Sequence, residues 1–460
     1  MKITDLINLG KKALKMFDDY IAEKKVEPPM RVYIRHFVTD LEISETRCGW
    51  QGSSEIIQKP DWAKIVFDFM EERIKPLPEF KQLSQTIAKR YKSNINELAK
   101  GCNEETQSAF WLETFIRKLI YEKLGKGCIS EDTIIEYASL FKSELELSPL
   151  EYNYKHYLEG IFLEPESIRI NDNVIIRKTQ KEDLEYIRDL FSDTIRPRYM
   201  YVGVPSAILE ITIIAKDERE CQEYINRIFN SLRLYKLCSV YPIEIIQTKR
   251  TVIWPGGLSH SWSHKSYLSF KRATIRGSEI DTFVDFINLM EQKLNFNEED
   301  KKYRTLYISL DRYNNALLEA IDVERKLMTA VMGLESLLTF EKDRGENAFK
   351  LSMRCAKLLG FIGFDVEKVK KLIEEAYNYR NKVAHGSYIS QKVRRRISEI
   401  LPEILNYLRV SLIIFILCQD IGKDKIVEMI DKSMISEDAH IDLKKLLEKN
   451  IGNLMEILNK

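Results

Sequence analysis

Apolar residues recur along most of the chain at helical intervals. Leu6, Leu9, Leu14 and Phe17 mark one face of an opening helix, and Phe110, Leu112, Phe115 and Leu119 mark another within 109–124. Between them, RVYIRHFVTDLEI (31–43) is rich in β-branched residues, and its periodicity leaves a strand and a buried helix both open. The pair Arg31 and His36 inside that stretch reads as part of a core. Residues 1–155 are therefore expected to be a mostly helical domain, a scaffold or sensor with no recognisable catalytic word.

The pattern changes after residue 156. Asn171-Asp172-Asn173 separates two apolar runs and predicts a hairpin, and Thr179 with Glu182 has capping-box spacing. AILEITIIA (207–215) and VYPIEIIQT (240–248) read as strands. The helix between them opens at Asp217 and is lined by Cys221, Ile225, Ile228 and Leu232. Residues 156–295 make a small α+β domain, closed by the polar break LNFNEEDKKY (294–303). Beyond it the chain reads as helical. Val323, Leu327, Val331, Leu334 and Leu338 form one stripe; LSMRCAKLLG, Asp365–His385, Gln391–Gln419 and DLKKLLEKNIGNLMEIL supply further helices. The expected fold is mainly α with a smaller α+β middle domain and an antiparallel α-helical bundle over 300–460.

Composition narrows the function classes. The 460 residues carry 71 Lys and Arg against 70 Asp and Glu, a net charge of +1, so any nucleic-acid site is local and not a bulk basic coat. With 44% hydrophobic residues the chain can bury large cores, and 18 Gly and 12 Pro are few enough to favour long helices. Seven scattered cysteines without a C-x-x-C pair exclude a disulfide frame and a zinc knuckle. The first 25 residues lack an apolar signal core, and the greasiest stretch, Val410 to Cys418, is read as too short for a membrane span. A cytoplasmic protein with no membrane partner is expected.

Three places could carry chemistry. His260 and His264, four apart in WPGGLSHSWSH, have a metal-ligand spacing on a helix, but Pro255, Gly256 and Gly257 make a turn just before them. No third ligand stands at a suitable spacing, so no metal is assigned. Lys392, Arg394, Arg395 and Arg396 form a basic cluster at a helix start that can meet a phosphate backbone. The third place is EEAYNYRNKVAHG (374–386), where Arg380 occupies a position that Val366, Val369, Ile373, Ala376 and Val383 reserve for an apolar residue. A guanidinium there requires an acid, a phosphate or a partner subunit. Asn381 and His385 stack four apart, and Gly386 ends the helix, which leaves His385 in its last turn. A fixed Arg beside an acid–base His suits phosphodiester transfer.

GLESLL (333–338), LSMRCAKLLG (351–360) and YNYRNKVAHG (377–386) together resemble a HEPN domain of the ApeA-like branch. The α+β segment, with its ILEITI strand and WPGG turn, is similar to what precedes this HEPN type. The family motif falls on Arg380, Asn381 and His385. The resemblance implies a metal-independent endoribonuclease without cofactor. Arg380 would stabilise the transferring phosphate, His385 would move protons, and Asn381 would orient His385 or the phosphate. Lys382, Lys392, Arg394, Arg395 and Arg396 would hold RNA. It further implies a homodimer with a composite site and a toxin or abortive-infection role in prokaryotic antiviral defence, with a phage or antitoxin partner. One departure stands out: family toxins controlled by AMP transfer have a Tyr two residues after the His, whereas here Tyr388 lies three after His385. The alternative is a non-catalytic HEPN module that dimerises or binds a nucleotide.

Overall fold

The computed structural model describes residues 1–45, 48–99, 101–190, 204–249, 251–253, 258–262, 272–296, 300–319, 322–340, 343, 345–454 and 458, apart from the side chains at 188–190, 244, 249, 258–262 and 453. The N-terminal region contains α1 (Ile3–Lys24), the hairpin strands β1 (Met30–Ile43) and β2 (Cys48–Pro60), α2 (Ala63–Phe69), a π-helical turn at Met70–Ile74, α3 (Pro78–Arg90), α4 (Lys92–Leu98), α5 (Glu104–Lys126) and α6 (Glu131–Leu145). Leu6, Leu9, Leu14 and Phe17 face the core from α1, and Leu112, Phe115 and Leu119 do so from α5, while Phe110 is exposed. Asn103 starts α5 by accepting the N–H groups of Glu105 and Thr106.

Residues 31–43 correct the expectation of a core segment. They are a strand, and about half of it is exposed: α7 covers β1 near Val38, where the Val38 N–H donates to Glu185 and Lys181 donates to the Thr39 carbonyl, but the two-stranded ribbon has no layer over its length to cover both faces. The ribbon works as a strap. Its strand ends leave the N-terminal helices, where the Asp61 N–H donates to the Pro29 carbonyl. Its turn end is held by the middle region: Arg272 donates to the Ser44 carbonyl, and the Thr274 hydroxyl bonds the Glu45 carboxylate.

The middle region runs β3 (Leu150–Glu159), β4 (Ile161–Leu163), β5 (Ser167–Asn171), β6 (Val174–Lys178), α7 (Lys181–Leu190), β7 (Ala207–Ala215), α8 (Glu218–Tyr235), β8 (Tyr241–Lys249), β9 (Leu258–Trp262), β10 (Ala273–Ile275), a short 3-10 turn and α9 (Ile280–Lys293). Six strands form an antiparallel sheet in the order β5-β6-β7-β3-β8-β9, and β4 pairs separately with β10. β3 begins at Leu150, ahead of the expected boundary at 155. Asp217 caps α8 through the Glu220 N–H. The Thr179–Glu182 box does not form: Asp183 accepts the Gln180 N–H instead, and the Thr179 hydroxyl is buried without a partner among the described residues.

The C-terminal bundle comprises α10 (Arg304–Leu318), α11 (Val323–Leu338), α12 (Asn347–Gly360), α13 (Val366–Ala384), α14 (Gln391–Leu417), α15 (Lys423–Ser433) and α16 (Glu437–Ile451). α10 and α15 lie outside the helices that periodicity predicts. α14 extends the apolar stretch well beyond Val410–Cys418. Among the described residues it is long and apolar enough to cross a membrane, which corrects the reading of that stretch as too short, yet 83% of its apolar window is buried inside the protein.

The fold is mainly α with a smaller α+β part. Among the described residues the buried side chains form two large clusters and a small third. One cluster joins the middle sheet to the bundle without a break, from Leu150 to Leu458. Arg409 crosses that seam fully buried, and its Nη1 caps the last carbonyls of α8 at Leu234 and Tyr235 over 2.9 and 3.0 Å. The second cluster belongs to the N-terminal helices and takes in Val252 and Ile253 from the chain beyond β8. The buried Glu144 carboxylate holds that segment by accepting the Thr251 hydroxyl and the Val252 and Ile253 N–H groups at 2.8, 2.7 and 3.1 Å.

Candidate active site

α13 is built to end where its motif ends. Asp365 caps its start by accepting the Lys368 N–H, and Val369, Leu372, Ile373, Ala376 and Tyr377 bury one face. Gly386 follows the last turn at φ 67°, a left-handed conformation that costs glycine nothing. The Gly386 N–H then donates to the Val383 carbonyl at 3.1 Å and the Ser387 N–H to the Lys382 carbonyl at 2.9 Å, the paired closure of a Schellman end. His385 is the residue between helix and glycine, and it is exposed.

Arg380 sits where the apolar stripe meets solvent, with its side chain 25% exposed. The acid it requires comes from α11. Arg380 Nη2 donates to Glu335 Oε2 at 3.0 Å, and Glu335 is itself only 19% exposed. Nη1 donates to Asn381 Oδ1 at 3.0 Å, and the guanidinium lies 5.3 Å from the centre of the Tyr377 ring. Its Nε is buried and has no partner among the described residues; the same holds for Asn347 Oδ1. Burial, then the nearby Glu335 charge, pushes the Tyr377 phenol above its ordinary range. Three contacts thus fix the guanidinium.

Two contacts bear on the expected roles. Asn381 does not bond the His385 ring; its side-chain oxygen holds Arg380, and its carbonyl accepts the His385 backbone N–H. The counter-charge of Arg380 is Glu335 of the same chain, so neither a phosphate nor a second subunit is needed to make its burial tolerable. Among the described residues no hydrogen bond joins His385 to Arg380.

The basic cluster divides in two. Ser390 caps α14, and the first turns carry Lys392, Arg394, Arg395 and Arg396. Arg394 is paired with the nearly buried Glu324 of α11. Arg396 forks onto Glu375 of α13 with two contacts of 2.9 Å and reaches Glu399 at 3.3 Å. The Arg396 hydrogen bond holds the Glu375 carboxyl below the usual carboxylate range. Lys392 and Arg395 are exposed with no carboxylate partner among the described residues, and Lys382 is exposed with its ammonium 5.8 Å from the Tyr379 ring. Expected RNA contacts at Arg394 and Arg396 are therefore already committed to carboxylates.

Glu335 was visible in GLESLL but not assigned. Its signal is the mirror of Arg380, an acid intruding into the α11 stripe between Leu334 and Leu337. Pairing the two intruders across the bundle identifies the contact. Of the alternative metal pair, His260 lies on β9 and not on a helix, while its side chain and the whole of His264 lie outside the described residues, as do 254–257. Among the described residues no three His, Cys, Asp or Glu side chains gather as metal ligands.

Comparison of the chain with protein-family models, with curated proteins and with solved structures gives no match in any of the three.

Proposed function

We propose that the chain is a HEPN-type endoribonuclease that cuts RNA by attack of a 2′-hydroxyl on the adjoining phosphate, in a toxin or abortive-infection role. The observation that carries this reading is the half-buried Arg380, fixed by Glu335, Asn381 and Tyr377, five residues before an exposed His385 at a helix end. A guanidinium aimed before the reaction stabilises charge as it develops on phosphorus, without reorganising. A histidine takes the 2′-hydroxyl proton as the new O–P bond forms, and an acid returns a proton to the departing 5′-oxygen. The products carry a 2′,3′-cyclic phosphate and a 5′-hydroxyl, and a DNA strand, lacking the nucleophile, is not cut.

One histidine does not serve both ends of that displacement at once. A homodimer supplies a second His385, and the 140° or so that five helical residues turn through is then closed across the two subunits. Phosphate entering the site competes with Glu335 for Arg380.

The second reading, a non-catalytic dimerising or nucleotide-binding module, is favoured by two observations: Arg380 is already neutralised by Glu335, and among the described residues no hydrogen bond joins it to His385. The test is RNA cleavage by the purified protein in EDTA, beside His385→Ala. Cleavage that persists in EDTA and disappears in the variant supports the nuclease. No cleavage under any condition supports the module.

A further inference from the structure

The exposed part of the β1–β2 ribbon has two unlike faces. Register places Arg31 opposite Lys59, Tyr33 opposite Ile57 and Arg35 opposite Glu55, and Phe37 lies on the same face. On that face the Arg31 guanidinium lies 5.9 Å and the Lys59 ammonium 5.5 Å from the centre of the Tyr33 ring, while the Arg35 guanidinium lies 5.1 Å from that of Phe37. The three cations make no ion pair among the described residues, although Glu55 stands beside Arg35 in the register. The other face carries Met30, Val32, Ile34 and Ile56, all exposed. Charges that only protect a ribbon from edge-to-edge pairing have no reason to avoid one face. Here every charge between Met30 and Phe37, and between Ser53 and Pro60, lies with the rings.

We propose that the face bearing Arg31, Tyr33, Arg35, Phe37 and Lys59 binds single-stranded RNA. Cations interleaved with aromatic rings match both parts of such a strand: the ammonium and guanidinium groups neutralise phosphates, and the rings and guanidinium planes stack on bases. Tyr33 and Phe37, four residues apart, lie about 13 Å from each other along the strand, roughly four stacked-base steps, with Arg35 between them. A duplex hides the base faces that these rings address, and the narrow major groove of duplex RNA does not admit a ribbon. The ribbon is held at both ends, by the N-terminal helices and by Arg272 and Thr274, so the strand meets a fixed platform. The choice of RNA over DNA rests on the proposed reaction; the binding itself does not.

The test uses the full chain carrying His385→Ala, so that binding is read without cleavage, with a short fluorescein-labelled RNA of mixed sequence followed by anisotropy across a salt series. Replacing Arg31, Arg35 and Lys59 together by Gln is expected to weaken binding at least about tenfold and to flatten the log–log salt slope by about 2. Tyr33→Ala is expected to weaken binding about tenfold, and Tyr33→Phe to restore it, which a role in charge alone or in folding does not predict. Unchanged affinity in the triple variant overturns the proposal, as does absence of RNA binding by the parent. Loss of binding only on Ile34→Ser and Ile56→Ser, on the opposite face, also overturns it and places the RNA on that face. Tighter binding of DNA of the same sequence overturns the choice of RNA. Ribbon-dependent binding by a wild-type protein that cleaves nothing upholds this proposal and removes the nuclease reading alone.

Discussion

The spacing R-x4-H occurs twice in this molecule, once on a strand and once on a helix. Arg31 and His36 belong to β1, where an odd separation sends the two side chains to opposite faces. Arg380 and His385 belong to the end of α13, where the same separation turns through about 140°. Neither backbone aims its pair at one atom, so spacing alone distinguishes nothing. The surroundings do. Arg380 is half-buried, held by a carboxylate, an amide and a ring, while Arg31 is exposed, with its guanidinium 5.9 Å from the centre of the Tyr33 ring. A catalytic guanidinium has to be aimed before the reaction starts; a nucleic-acid contact only has to be available.

Removing each copy in turn is the strongest way to break that contrast. In steady-state cleavage of RNA, His385→Ala and Arg380→Ala are each expected to lower kcat/KM by about a hundredfold or more. His36→Asn, on the apolar face of the ribbon, is expected to change it by less than about twofold. Equal losses at His36 and His385 would erase the distinction between the copies.

The same contrast has a thermodynamic side. Glu335→Ala leaves a half-buried guanidinium without its acid and is expected to cost about 1–3 kcal/mol in chemical denaturation. Arg31→Ala removes an exposed contact and is expected to leave the unfolding midpoint within its scatter. A Glu335→Ala protein as stable as the parent would show that Arg380 is not held as described.

Much of the fold was legible because local chemistry decides it. Asp217, Asp365 and Gly386 mark helix ends through bonds within a few residues, and the β7 and β8 runs declare strands by composition. Contacts made across long stretches of chain were not legible. Glu335 and Arg380 are 45 residues apart, and only the bundle brings them together. The pairing of Arg394 and Arg396 with Glu324 and Glu375 is equally non-local, so four cations in a row read as one free patch. Residues 31–43 misled for another reason. Val, Ile and Phe suit an interior, but burial depends on a covering layer, and α7 covers only the part of this ribbon near Val38. The single core shared by the middle sheet and the bundle was hidden by the polar break at 294–303.

Acid sharpens the contrast further, because charges in the bundle are part of its stability. Arg354 ties the end of α11 to α12 and α15 by donating to the Leu338 carbonyl, Asp343 and Asp431. Hydrogen bonds from Arg354, the Phe340 N–H and Lys350 outweigh burial and hold the Asp343 carboxyl down at about 2. A carboxyl lowered in the folded state stabilises fully above its unfolded value near 3.8, and that stability drains away as pH falls toward 2. Its size is about 2 kcal/mol. Asp343→Asn is therefore expected to lower stability at neutral pH and to flatten the loss between about pH 4 and 2. An unchanged acid limb in that variant would assign the effect to other carboxylates.

The smallest expected effect separates free cations from committed ones within the α14 cluster. Lys392 and Arg395 meet no carboxylate among the described residues, so a phosphate reaches them at no cost beyond its own dehydration. Arg396 has first to leave its fork with Glu375, and Arg394 its pair with Glu324. Replacing Lys392 and Arg395 together by Gln is expected to raise KM for RNA about threefold to tenfold, with kcat nearly unchanged, and to flatten the salt slope by about 1.4. Arg396→Gln is expected to move KM less and the thermal midpoint more, since it frees Glu375 beside Tyr379. If the single Arg396 variant raises KM as much as the double variant does, the fork opens readily for RNA, and the whole cluster then acts as one surface.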